Sequence, residues 1–292
     1  MNSSVDDGAA RFEFGRNWHR FAKGNFTEQR LAAAQECLLG FLKRRSLDGL
    51  SMLDIGCGSG IHSHAAFLSG AQRIHSFDYD QKCVAATNLL RDRAGRPQNW
   101  SVERGDVLDQ RYVKSLGRWD LVYSWGVLHH TGDVWRAIRM AQSAVADGGL
   151  FFIALYSADV QPLKEYWLEV KQRYNKATDF EKRLMVGWYI WRHSLQGKIS
   201  QVPQLIRHIL AYRYQRGMNY FTDIRDWLGG WPMEFTADQD VVDLLEGEYG
   251  FKLTNVTTGQ ACSEFLFERS GTPSQRTKVK DMVTSNTATV TV

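Results

Sequence analysis

The sequence predicts a doubly wound α/β fold, a mainly parallel sheet with helices on both faces. Three observations carry that expectation. From residue 51 to 156, short apolar runs alternate with segments of helical period, which is the pattern of repeated strand–helix–strand units. The first run hands over to a glycine-rich turn, Asp54-Ile55-Gly56-Cys57-Gly58-Ser59-Gly60. Of 292 residues, 43% are hydrophobic and 23% charged, enough apolar material for a large core and too little bias for a fibrous or disordered chain.

In chain order, residues 1–47 read as an N-terminal helical cap. A polar start and the phrase FEFGRNWHRF precede RLAAAQECLLGFLKRR, where Leu31, Leu38 and Leu42 recur at helical spacing. Residues 48–156 form the core unit, with strands expected at 51–55, 73–77, 100–104, 120–124 and 150–156. Residues 157–235 break the rhythm with two long helical stretches, far more than a crossover requires, and read as a helical insertion that lies over the sheet edge as a substrate lid. Residues 236–269 restore the rhythm with a closing helix (239–249) and a hairpin of strands at 251–256 and 262–269, hence one antiparallel strand. Residues 270–292 are polar and expected to be a mobile tail.

Charge and cysteine usage exclude several functions. Lys and Arg total 36 against 32 Asp and Glu, a net +4. That excess is mild and dispersed, so no nucleic-acid partner is expected. Four cysteines form no CxxC pair and no zinc spacing, so no metal site and a reducing, cytoplasmic setting are expected. His62 and His64 lack partner ligands and read as packing residues. No apolar run is long enough to span a bilayer, and the acidic first residues do not read as a secretory leader.

The glycine turn is the strongest signal. Glycines at alternate positions let backbone N–H groups and a helix N-terminus approach a ligand closely. The dinucleotide pattern G-x-G-x-x-G needs a small residue where Ile61 stands, and the P-loop Lys is missing. Asp54 puts a negative charge at the mouth of the turn, which suits a ligand carrying an ammonium and a sulfonium, as S-adenosylmethionine does. Asp78, ending the second strand in SFDYD, suits a ribose diol. Asp106, following the third in RGDVL, suits an adenine amino group. Cys57 reads as a small filler within the turn, and Asp80 as a solvated neighbour of Asp78.

The phrases LDIGCGSG, SFDYD, RGDVL, WDLVYSWGVLHHTGD and ADGGLFFIALY stand in the order found in class I S-adenosylmethionine-dependent methyltransferases, and the chain resembles that family. The last two are similar to the branch of ubiquinone and menaquinone biosynthesis methylases and small-molecule O-methyltransferases. The resemblance implies a Rossmann-like sheet of seven strands in the order 3-2-1-4-5-7-6. It implies that Asp54, Gly56, Cys57, Gly58, Ser59 and Gly60 serve the methionine end of the cofactor. Asp78 and Tyr79 then serve the ribose, Asp106 and Val107 the adenine, with Ser124 and Trp125 closing the cofactor site. The insertion and FEFGRNW depart from the quinone methylases, so the substrate does not carry over.

Methyl transfer from a sulfonium needs position, desolvation and, for a hydroxyl acceptor, a route for the proton. His129 and His130, after the fourth strand, are the candidates, with His129 preferred. Trp125 reads either as a wall beside the methyl group or as core. Tentative substrate residues are Trp18 in the cap and Arg216 and Trp231 in the insertion, where Gly229-Gly230-Trp231-Pro232 makes a turn. A salt-bridged structural turn is the alternative there, and core packing is the alternative for the aromatic stripe from Tyr166 to Trp191. The expected function is methylation of a small molecule, most readily at oxygen. A nucleic-acid methyltransferase and a non-catalytic cofactor-binding scaffold are the rivals.

Overall fold

The computed structural model describes residues 14–161, 163–215, 220–259, 261–270, 277–280 and 282. Seven strands, β1 (Ser51–Ile55), β2 (Arg73–Asp78), β3 (Trp100–Arg104), β4 (Trp119–Trp125), β5 (Val145–Tyr156), β6 (Phe251–Thr258) and β7 (Cys262–Arg269), form one sheet in the order β3-β2-β1-β4-β5-β7-β6. The five strands up to β5 pair in parallel, while β7 runs antiparallel to both β5 and β6. The strand order reverses between β1 and β4, which opens a crevice at their carboxyl ends, the place where such sheets take ligands. The expected order and the single reversed strand are both observed.

Helices cover the two faces. On one lie α2 (Glu28–Leu42), α3 (Ile61–Leu68) and α4 (Gln81–Arg93), and on the other α5 (Gln110–Ser115), α6 (Val134–Gln142) and α11 (Asp238–Tyr249). Leu31, Leu38 and Leu42, the apolar stripe of α2, pack with Ala65, Leu90 and Trp100. Ile138 and Ala141 of α6 and Val241 and Leu245 of α11 pack against Val122, Phe151 and Phe265. Each such large side chain, fully buried, contributes about 1.5–3 kcal/mol. Ahead of α2, the short α1 (Gly15–Arg20) rests against α4.

Three regions differ from the expectation. Strand β5 begins at Val145 rather than 150, because Val145 pairs with Trp119 before an irregularity in the ladder at Asp120. Among the described residues the insertion contains four α-helices where two helical stretches were expected: α7 (Lys164–Lys176), α8 (Asp179–Tyr189), α9 (Val202–Gln215) and α10 (Tyr220–Gly229). Thr178 breaks the first stretch by capping α8 in a reciprocal box with Glu181. Part of the tail is docked, which corrects the expectation of mobility. Glu246 of α11 accepts from the Thr277 N–H and hydroxyl, and Val279 is buried in the main core.

Candidate active site

The glycine turn joins β1 to α3 and is fastened to the end of β2: the Gly56 and Cys57 N–H groups both donate to the Phe77 carbonyl, at 2.8 and 3.0 Å. Gly56 has φ +75°, and a Cβ there would stand 2.3 Å from Val127. Gly60 has φ +81°, and its Cβ would meet the backbone of Thr87 at 2.9 Å. The absent side chains are therefore what allows α4 and the β4 loop to close on the turn. Ser59 is buried, and Cys57 accepts a bond from the Thr87 hydroxyl at 3.2 Å, as a filler should.

Beneath the turn runs a chain of hydrogen bonds. The Trp100 indole donates to Ser76 (2.9 Å), Ser76 and Ser63 share a bond of 2.7 Å, and the Ser63 hydroxyl donates to Asp54 Oδ2 at 2.5 Å. Because Ser63 spends its only proton on Asp54, Ser76 must donate to Ser63, and every donor points toward the carboxylate. Burial still dominates and pushes the Asp54 pKa up to about 7, with Asp78 adding to the rise. Asp78 accepts from the Gly58 N–H (3.0 Å) and from the Asp80 N–H (2.9 Å). Its pKa is raised to about 6, again chiefly by burial. Two buried carboxylates thus stand at the carboxyl ends of β1 and β2, in an environment that favours a cation.

Asp80 is not the solvated neighbour expected from sequence. One oxygen caps α4 through the Lys82 N–H at 2.8 Å, and the other accepts from the Gly15 N–H at 2.9 Å. That bond anchors α1 over the crevice. Trp18, one turn along, lies 3.4 Å from where a Gly58 Cβ would be, while Phe14 meets His130 with ring centroids 5.0 Å apart. The cap therefore bridges the glycine turn and the histidine pair.

The other residues expected at the cofactor are placed as follows. The Ser124 side chain is fully buried and donates to the Ile55 carbonyl at 3.1 Å, so it braces β1 against β4. Trp125 is neither a wall nor core: it is 42% exposed, and its indole donates to Glu264 on β7. Val107 sends its side chain into the main core. Asp106 folds back to accept from the Leu108 N–H at 2.8 Å, and Tyr79 stands exposed beneath Arg104. Arg216 lies outside the described residues. Trp231 is half-buried on the turn before Met233.

The histidines occupy a short 3-10 turn after β4. His129 is sealed, 1% exposed, and its Nδ1 accepts from the Tyr156 N–H at 3.1 Å. Its lone pair is used, which corrects the preference for His129 as base. His130 is half-buried and donates from Nδ1 to the Pro232 carbonyl at 2.6 Å, leaving the Nε2 lone pair available. Burial lowers the His130 pKa to about 3, the Pro232 bond opposing and Lys171 adding. The Gly229–Pro232 turn is thus a clamp on His130. Glu234 completes it: its N–H donates to the His129 carbonyl (2.9 Å) and its carboxylate takes the Val134 N–H (3.0 Å) at the start of α6.

Lys171 was missed. It is fully buried on α7, donates to the Trp227 carbonyl, and lies 4.5 Å from the centre of the Trp227 ring. Burial lowers its pKa to about 7, with Asp226 opposing. The signal was present in sequence: Trp167, Lys171 and Tyr174 follow i, i+4, i+7, so the lysine sits in the buried stripe of its helix. The other expected rings divide. Trp167 and Tyr174 form the insertion's own core with Tyr220, Ile224 and Leu228, whereas Tyr166 and Trp191 are exposed. His62 packs on Tyr123, and His64 between Phe26 and Trp100.

A doubly wound sheet of this order, with paired acids at the carboxyl ends of β1 and β2, is the architecture of class I S-adenosylmethionine-dependent methyltransferases. A family model described as "Methyltransferase domain" matches residues 26–230, and the chain belongs to that family. It is 31% identical over 136 residues to a ubiquinone biosynthesis O-methyltransferase of Methylobacterium sp. (strain 4-46), covering 47% of this chain and 53% of that protein. It is 46% identical over 59 residues to a ribosomal protein L11 methyltransferase of Methylococcus capsulatus, 20% of each chain. The chain spans about half the length, or less, of the first of these curated relatives. Among solved structures it is similar to the magnesium protoporphyrin IX methyltransferase from Synechocystis PCC 6803 with bound SAM. That likeness has a TM-score of 0.53 at 13% identity, over 92% of this chain and 100% of that one, and it shows the shared fold.

Proposed function

We propose that this protein methylates an acidic hydroxyl of a small, largely planar molecule, with S-adenosylmethionine as methyl donor. The residues fit that cofactor by the chemistry of their donor set. Asp54 and Asp78 are carboxylates whose charge burial disfavours, and a ligand bearing a sulfonium and an ammonium offsets what a pyrophosphate would aggravate. When bound, S-adenosylmethionine supplies an already activated methyl group. Asp78, braced by two backbone N–H groups, takes the ribose diol, and Asp54 and the glycine turn take the methionine end. Phe14 and Trp18 exclude water from above, and the insertion acts as the lid.

The single observation that carries the acceptor is the state of His130. With Nδ1–H held by Pro232, Nε2 is the atom that receives the hydroxyl proton as oxygen attacks, and the same carbonyl stabilises the imidazolium that results. A weak base held this way suits an acidic hydroxyl, a phenol or enol, better than an alkyl alcohol. Phe14, His129 and Tyr156 ring the imidazole at centroid distances of 5.0, 4.5 and 5.5 Å, a surrounding suited to a flat ligand. The O-methyltransferases among the curated relatives agree with oxygen as acceptor. The test is transfer of label from methyl-labelled S-adenosylmethionine to a panel of phenols, carboxylic acids, alcohols, amines and thiols. Label on phenols is expected. Label confined to carboxylic acids, amines, thiols or alkyl alcohols overturns the reading.

A further inference from the structure

The insertion carries a surface that methyl transfer does not use. Ile199, Val202, Ile206 and Leu210 follow spacings of three and four along the turn before α9 and α9 itself, so they line one side of the helix. They are 75%, 36%, 52% and 59% exposed. The adjoining flank of α9, with Leu205 and Ile209, packs into the insertion's core. The apolar arc of the helix is therefore wider than the part that packs, and the stripe at its outer edge is left exposed.

Charge identifies the occupant. From residue 182 to 222 the chain holds seven Lys and Arg and no Asp or Glu. With no acid to offset them these give the stretch a net +7 against +4 for the whole chain, and exposed Lys198 and Arg207 adjoin the stripe directly. Aliphatic side chains in a row, flanked along the chain by basic residues and no acids, are the features of a helix that lies in a membrane interface: the stripe enters the acyl boundary and the cations meet anionic headgroups. A nucleic acid uses the cations and gains nothing from Ile, Val and Leu. Among the described residues no helix is long and apolar enough to cross a membrane, so this element would rest on a bilayer rather than span it.

We propose that α9 and the turn preceding it dock the protein onto an anionic lipid surface, an activity beyond methyl transfer. The test is flotation of the full chain with vesicles of phosphatidylcholine, alone or mixed with phosphatidylglycerol. Co-flotation with the anionic vesicles, weakened by about 1 M salt, is expected. The Ile206→Asp/Leu210→Asp variant should lose at least about tenfold in partitioning, and Lys198→Glu/Arg207→Glu should lose the preference for anionic lipid. All four positions are exposed, so circular dichroism and melting temperature should match the parent. Absence of flotation with either vesicle overturns the proposal, as does flotation indifferent to the apolar variant. A parent dimer that the apolar variant dissolves assigns the stripe to a second copy instead. Salt-sensitive RNA binding without vesicle binding assigns the cations elsewhere, and either result also overturns it.

Discussion

His129 and His130 are consecutive residues held in opposite tautomers. His129 Nδ1 accepts the Tyr156 N–H, and His130 Nδ1 donates to the Pro232 carbonyl. Neutral His129 therefore carries its proton on Nε2, while His130 presents a lone pair there. An identical pair of side chains yields one donor and one acceptor, decided wholly by which backbone group each meets.

From this asymmetry follow unequal mutants. His130→Ala should slow turnover by about 10²–10⁴, the usual worth of a positioned base, and leave cofactor affinity within twofold or so. His129→Asn retains an acceptor for the Tyr156 N–H and should keep most of the activity. Steady-state kinetics on both variants decides the matter, and equal losses would remove the distinction.

Cofactor affinity should depend on pH through the two raised carboxylates. Asp54 titrates near 7 and Asp78 near 6, both above the ordinary carboxylate range. Protons hold these sites as the pH falls, and a cationic ligand must displace them. Affinity for S-adenosylmethionine should therefore rise from pH 5 to about 7.5 and then level off, with protons released on binding below that plateau. Titration in buffers of different ionisation enthalpy measures the release. Flat affinity across the range would separate the acids from the cofactor.

Lys171 should cost stability. Its folded pKa lies below the unfolded value, so its cost is absent above about pH 10 and grows as the pH falls toward 7, below which it is full. Lys171→Met removes the penalty of a buried cation. It should raise stability at pH 6 by about 1–3 kcal/mol, seen as a higher melting temperature, and by progressively less toward pH 10. A lower melting temperature at pH 6 would mean that the bond to Trp227 outweighs the charge.

Gly60→Ala should be destabilising out of proportion to its size. A positive φ disfavours any Cβ by roughly 1–2 kcal/mol, and this one also meets Thr87 backbone. Denaturant melts should show a loss that Thr87→Ala does not rescue, because the contact includes Thr87 Cα. Full rescue would place the clash in the threonine side chain.

The sheet was legible in sequence because buried parallel strands are continuous apolar runs, and the glycine turn and Asp78 announce themselves by position. The closing antiparallel strands were readable instead as two short runs separated by the turn TTGQA. The histidine pair was legible as a pair, but not its division of labour, since tautomers depend on Pro232 and Tyr156, which lie 102 and 26 residues away from His130. Asp80 was misread because its partner, the Gly15 N–H, belongs to another element. Ser124 and Val107 sit in the right phrases, yet their side chains turn to β1 and to the core. In the insertion, Thr178 held a capping box whose significance the long helical pattern hid.

The most direct test is calorimetric titration of the purified chain with S-adenosylmethionine at pH 8, with NAD as control and Asp78→Ala as comparison. The account predicts binding of S-adenosylmethionine alone, weakened in Asp78→Ala by about 2–3 kcal/mol, the worth of a charge-assisted hydrogen-bond pair. Binding of NAD instead, no heat with S-adenosylmethionine, or an affinity unmoved by Asp78→Ala would contradict it.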